Sequence, residues 1–223
     1  MSIPILFALL AVGIVGWWLF ARQLTAKPWE KEQSLIDNQY GAAGITVAPA
    51  RVGLWMLLAV ITSFFGLFIS AYGMRMMMTD WRPLAEPGLL WVNTFMLILS
   101  SLAFQWTAVA AERGDAPRVK LGLVAAGSLA FAFLAGQLLA WQQLNESGQF
   151  LSSNAANAFF YLLTGVHGLH LLGGLSVWGR TTVVMWRGGS ELGQVRLSVE
   201  LCAMYWHYLL LVWLVLFGLL LAT

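Results

Sequence analysis

Charge is scarce in this chain. Only 10% of its 223 residues are Asp, Glu, Lys or Arg, where a soluble globular domain carries about 25%. Cysteine is scarcer still. The lone Cys202 excludes a disulfide framework and any metal site built on paired cysteines; it reads as a small packing residue in an apolar run. A net charge of +2 gives no electrostatic case for nucleic acid. No glycine-rich phosphate loop opens a helix after a strand, and no nucleophile motif is visible. Internal repeats and low-complexity tracts are absent too.

What fills the chain is apolar. Hydrophobic residues make up 60% of it and the mean hydropathy is +0.76, the profile of an all-α, polytopic membrane protein. A membrane helix needs about 20 residues. Six runs qualify: Ile3–Ala21, Gly53–Met74, Gly88–Ala111, Leu121–Trp141, Ala155–Gly179 and Leu201–Thr223. The first has no basic segment before it, its charges Arg22 and Lys27 following instead, which fits a retained span rather than a secretory signal. The expected organisation is a leading helix plus cytoplasmic connector over 1–50 and a five-helix body over 51–223. The connector mixes charge with Pro28, Gly41, Gly44 and Pro49.

Basic residues set the orientation. Arg22, Lys27, Lys31 and Arg51 precede the second run; Arg113, Arg118 and Lys120 sit in loop 112–120; Arg180, Arg187 and Arg196 sit in loop 180–200. Only Arg75 and Arg82 lie on the other side. The positive-inside rule makes the three rich loops cytoplasmic and both termini periplasmic. Trp17, Trp18, Trp55, Trp91, Trp141 and Trp178 lie near run ends, as an interfacial belt would.

Ionisable groups inside a bilayer are costly and mark function by default. His167 and His170, three positions apart in the fifth run, share one helix face. They could ligate haem or metal with His207 of the last run, lie on a proton path, or make hydrogen bonds between helices. Glu200 stands two helical turns before His207 on the same side, and could bind a proton, pair with a cytoplasmic arginine, or snorkel to the interface. Met74, Met76, Met77 and Met78 offer thioethers to Cu(I) or serve as flexible filler. Gly165, Gly168, Gly173 and Gly174 allow close helix packing. Asn93 and Thr94 open the third span and can bond across helices or cap the backbone.

Several of these segments, taken in order, resemble subunit III of the haem–copper oxidases. FFYLLTGVHGLHLLGGL (159–175) is similar to the family's Phe-Phe…Thr-Gly-Phe-His-Gly-Leu-His-Val segment. ELCAMYWHYLLLVW (200–213) is similar to its Glu…Tyr-Trp-His-Phe-Val-Asp-Val-Val-Trp segment, with Glu and His at the same separation. NTFMLILSSLAFQW (93–106) resembles its Asn-Thr…Ser-Gly…Trp segment, and Gln137 falls where the fourth span's family Gln sits. The resemblance covers about residues 51–220 and implies the family's third to seventh helices.

The resemblance implies a subunit without a redox centre. Its histidines are not haem or copper ligands, and haem and copper belong to the partner subunit. The expected partners are oxidase subunits I and II and phospholipids. The implied work is support of oxygen reduction and proton pumping by the catalytic subunit, in a bacterial inner membrane. Where the family has membrane-embedded acids this chain has Ile61, Ala140 and Leu210, and Ala108 and Val109 stand near the third span's family histidines. These replacements remove carboxylates that a proton relay would use. The expected roles are then structural: His167, His170, Glu200 and His207 fasten the last two helices, Trp206, Trp213 and Tyr205 fill a lipid-facing or subunit-facing groove, and Arg180 grips a lipid phosphate. A quinol oxidase subunit or a nitric oxide reductase accessory protein would carry the same motifs. A small transporter would need broken helices and paired repeats; a di-haem cytochrome b would give the isolated chain a Soret band.

Overall fold

The computed structural model describes residues 48–79, 81–82, 88–187 and 192–222. These residues form five helices: α1 (Pro49–Met76), α2 (Leu89–Glu112), α3 (Ala116–Glu146), α4 (Ala155–Arg187) and α5 (Leu192–Leu221). Each is long and apolar enough to cross a membrane. The sixth expected span, Ile3–Ala21, lies outside the described residues, as do Trp17, Trp18 and the connector as far as residue 47.

The helices outrun the apolar stretches that foretell them. Their 24 to 33 residues correspond to about 36–50 Å, against a hydrocarbon core of about 30 Å. Residues expected in loop 180–200 are largely helical, with Arg180 and Arg187 on α4 and Arg196 on α5. A helix satisfies its own backbone, so charged side chains at the interface need not end it.

Local chemistry sets the stops. Gly114 (φ 72°) ends α2 and Gly148 (φ 77°) ends α3, each in the left-handed conformation that a side chain disfavours. Behind Gly114, the Asp115 amide donates to Ala110 O at 3.0 Å and the Gly114 amide to Ala111 O at 3.2 Å, the Schellman pattern. Behind Gly148, Gln149 and Gly148 repeat it at 2.9 and 3.0 Å. Asp115 then caps α3 by accepting from the Arg118 amide at 3.1 Å, with Pro117 in the first turn.

Helices α2 to α5 form the body: α2 packs on α3 and α5, and α4 packs on α3 and α5. The buried face of α3 includes Val119, Leu123, Ala126, Ala130, Phe133, Gln137, Ala140 and Leu144, alternate steps of four and three residues. That 3.5-residue period is the seam of left-handed helix packing. Phe104, Phe133, Phe160, Leu209 and Trp213 are fully enclosed at its centre. Helix α1 rests on α4 and α5 and buries only Ile61, Phe65 and Tyr72; most of its surface faces outward.

Candidate functional site

The polar side chains inside the body form a series of links between helices. Near the start of α2, Asn93 donates to Gln137 Oε1 on α3 at 3.4 Å. Gly136 makes room for this, since a Cβ there would collide with Asn93. One residue on, Thr94 accepts from Trp213 Nε1 of α5 at 2.9 Å while donating to Leu90 O at 2.8 Å. Trp141 on α3 donates to Thr164 Oγ1 on α4 at 3.1 Å. Tyr161 on α4 donates toward Asn145 Oδ1 and Gln149 O, both at 3.1 Å. Further in, Ser100 Oγ donates to Ala126 O at 2.9 Å, and Trp178 Nε1 on α4 donates to Leu123 O on α3 at 2.9 Å.

The three histidines go to three different places. His207 on α5 contacts α2: its Nδ1 meets Ser101 Oγ, and its Nε2 stands 2.9 Å from Gln105 Oε1. His170 turns back on its own helix, Nδ1 donating to Val166 O at 2.8 Å. His167 is wholly enclosed among the rings of Trp213 (5.2 Å), Phe133 (5.9 Å) and Phe65 (6.4 Å). Neither of its nitrogens has a partner among the described residues. The arrangement therefore differs from a polar cluster joining α4 to α5. Among hydrogen bonds, that junction has Tyr205 OH donating to His170 O at 3.0 Å. Among the described residues no three His, Cys, Asp or Glu side chains stand close enough to share a metal ion.

Glu200 does not reach the histidines. Arg51 Nη2 on α1 lies 2.7 Å from both of its carboxylate oxygens, at the end of the body where Arg196 meets Glu112 at 3.9 Å. Arg180 is exposed, beside a cavity of about 280 Å³ lined by Val177, Thr181, Val184, Val195 and Ser198. Trp206 and Trp213, expected in an outward-facing groove, are fully buried. Trp206 lies against Phe104 at 4.3 Å and over Gly174, whose missing side chain leaves room for its ring. Of the expected tryptophan belt, Trp55 and Trp91 are exposed, while Trp141 and Trp178 turn their indole N–H groups inward. Met74, Met76, Met77 and Met78 are exposed.

A second cavity, of about 390 Å³ and almost wholly apolar, lies between α1, α4 and α5. Leu57, Ile61, His170, Gly173, Cys202 and Tyr205 are among its walls. Ile61, standing where the resembled family has an acid, is buried with Phe65 and Leu163. Sequence reasoning missed Ser100, Ser101, Gln105, Thr164 and the inward role of Trp178. Gln105 carried a usable signal, an amide inside an otherwise apolar run. The serines and threonines did not, because short hydroxyl side chains in a membrane helix can return their hydrogen bond to the preceding turn.

A family model described as "Cytochrome c oxidase subunit III" matches residues 53–221. The chain is similar to "Cytochrome c oxidase subunit 3" of Synechocystis sp., 33% identical over 168 residues, which covers 72% of this chain and 70% of that protein. A protein of the same name from Thermostichus vulcanus is 31% identical over 174 residues, covering 75% of this chain and 83% of its own length. A "Probable cytochrome c oxidase subunit 3" of Mycobacterium bovis is 33% identical over 125 residues, 56% of this chain and 61% of that protein.

Proposed function

This chain belongs to the cytochrome c oxidase subunit III family, and from that premise we propose that it is a non-catalytic integral subunit of a bacterial terminal oxidase. It stabilises the catalytic subunit during oxygen reduction and proton pumping. Spanning helices and bacterial relatives point to the plasma membrane.

The observation that carries this reading is the use made of intramembrane polar groups. Asn93, Ser100, Thr94 with Trp213, Trp141 and His207 each bond a neighbouring helix. A hydrogen bond between membrane helices contributes about 0.6–2 kcal/mol. Such a set suits a scaffold, which must keep one shape while its partner turns over. The partners are oxidase subunits I and II, which hold the haem and copper, together with phospholipids. Arg180, exposed beside its cavity at the basic end of the body, suits a lipid phosphate.

Orientation follows from charge. Arg51, Arg113, Arg118, Lys120, Arg187 and Arg196 belong to the α1 start and the α2–α3 and α4–α5 junctions. This proposal puts that end in the cytoplasm and the end of α5 on the periplasmic side.

Purification of the tagged chain from its own membrane in mild detergent tests the proposal. The expected eluate carries a haem-bearing partner and a Soret band, and the chain stripped of partners has none. A Soret band on the isolated chain, or partners devoid of haem, would overturn it. A dinuclear copper centre in the eluate distinguishes a cytochrome c donor from a quinol donor.

A further inference from the structure

We propose that the groove between α2 and α5 seats a transmembrane helix of another subunit, and that this helix supplies a hydrogen-bond acceptor to the Gln105 amide. The proposal deepens the subunit reading and rests on it only in taking the occupant to be another chain of the same assembly.

With the Gln105 amide oxygen turned toward the ring, the roles within the Ser101–His207–Gln105 chain follow. Gln105 Oε1 can only accept, so His207 Nε2 donates to it at 2.9 Å. The neutral ring then has its lone pair at Nδ1, which takes the Ser101 hydroxyl proton. The amide nitrogen of Gln105, with two N–H donors, is left without a partner among the described residues. Gln105 and His207 are both exposed.

Depth makes this exposure costly. Gln105 lies seven residues before Glu112, and His207 seven after Glu200. At 1.5 Å per residue both stand about 10 Å inside the ring of charges at that end. With a core about 30 Å thick, the amide sits in hydrocarbon, where an unmet polar group is strongly disfavoured.

The same two helices leave an apolar opening about two turns farther along. A cavity of about 510 Å³ lies between Phe95 and Ile98 on α2 and Leu214 and Gly218 on α5. Phe95, Ile98, Leu102 and Gln105 follow one another by steps of three and four residues, so one face of α2 carries both the opening and Gln105. At Gly218, nothing lies within 4 Å of where a Cβ would be, the kind of opening that lets a neighbouring backbone come close.

A lipid does not meet both demands. An acyl chain can fill the apolar opening but offers no acceptor, and phosphate and ester oxygens stay at the interface. An acceptor at that depth comes from protein: a Ser, Thr, Asn, Asp or Glu side chain, or a carbonyl freed by proline. The occupant is therefore a helix with such a group about two turns from the cytoplasmic surface.

Site-specific photo-crosslinking in the native membrane tests this. The full chain carries p-benzoylphenylalanine at Leu102, at Leu214, or at the control position Leu138, which is exposed on α3. Adducts are digested and sequenced. The expected result is one polypeptide captured from Leu102 and Leu214 but not from Leu138, identical to a protein that copurifies with the unmodified chain, and joined through one of its membrane segments. Gln105→Leu, verified as folded by thermal unfolding, should cut that adduct about fivefold, the loss expected of one hydrogen bond in a membrane. Adducts to lipid alone, to a second copy of this chain, or equally from Leu138 would overturn the proposal, as would an undiminished adduct from Gln105→Leu. A groove partner belonging to an assembly that carries no haem would sink the oxidase reading and leave the groove standing. Haem-bearing partners that never crosslink there would do the reverse.

Discussion

Arg51 and Glu200, 149 residues apart in sequence, meet at 2.7 Å and pin the first turn of α1 to α5. One guanidinium nitrogen touches both carboxylate oxygens. The side chains keep 39% and 36% of their surface exposed, so solvent screens the pair. Its importance comes from position, since α1 buries so little else.

For that pair we expect a modest coupling of about 0.5–1 kcal/mol. A double-mutant cycle of Arg51→Gln and Glu200→Gln, followed by thermal unfolding in detergent, measures it. The coupling should fade in 1 M salt, where the screening length falls to about 3 Å. A coupling indifferent to salt would mean that the pair is more shielded than its exposure indicates.

Adjacent glycines on α4 should behave oppositely. A Cβ at Gly174 would stand 2.7 Å from Trp206 Cζ3 and 2.7 Å from Tyr205 Cε1, and the Trp206 ring is held against Phe104. Gly174→Ala should cost about 1–3 kcal/mol, as overpacking does. At Gly173 nothing lies within 4 Å, and alanine there should be neutral or gain up to about 1 kcal/mol from helix propensity. Unfolding midpoints of the two variants decide the matter; equal midpoints would refute the packing described for Gly174.

The histidines should separate in the same way. His207→Leu removes both the Ser101 and the Gln105 contacts, and in the isolated chain should cost about 1–3 kcal/mol by leaving polar groups unmet. His167→Leu removes a ring whose nitrogens have no partner among the described residues. That change should stay within about 1 kcal/mol of the parent or stabilise it, since losing an unsatisfied polar group offsets the change in shape. A large loss of stability at position 167, read from the unfolding midpoint, would show that its nitrogens are bonded after all.

Much of the fold was legible beforehand. The apolar runs located the centres of all five described helices. The stop of α2 was placed within one residue, at Ala111 against Glu112, but α3 begins at Ala116 rather than Leu121, a restart marked by Asp115 and Pro117 that the apolar run alone does not show. Other helix ends were missed by up to nine residues, as where α5 begins at Leu192 rather than Leu201. Pairing with an arginine was one of three expected alternatives for Glu200. That the arginine would be Arg51 was not readable, because three whole helices intervene.

Composition and apolar spacing alone establish a bundle of membrane helices, since hydrocarbon leaves each backbone amide no partner but its own helix. Side-chain pairing answers to a shorter ruler. Hydrogen bonds form at about 3 Å, and a turn of helix rotation moves a side chain farther than that. Only packing could send His207 to α2, His170 to its own backbone and His167 into an aromatic cage, or turn Trp206 and Trp213 from the expected surface to the centre of the body.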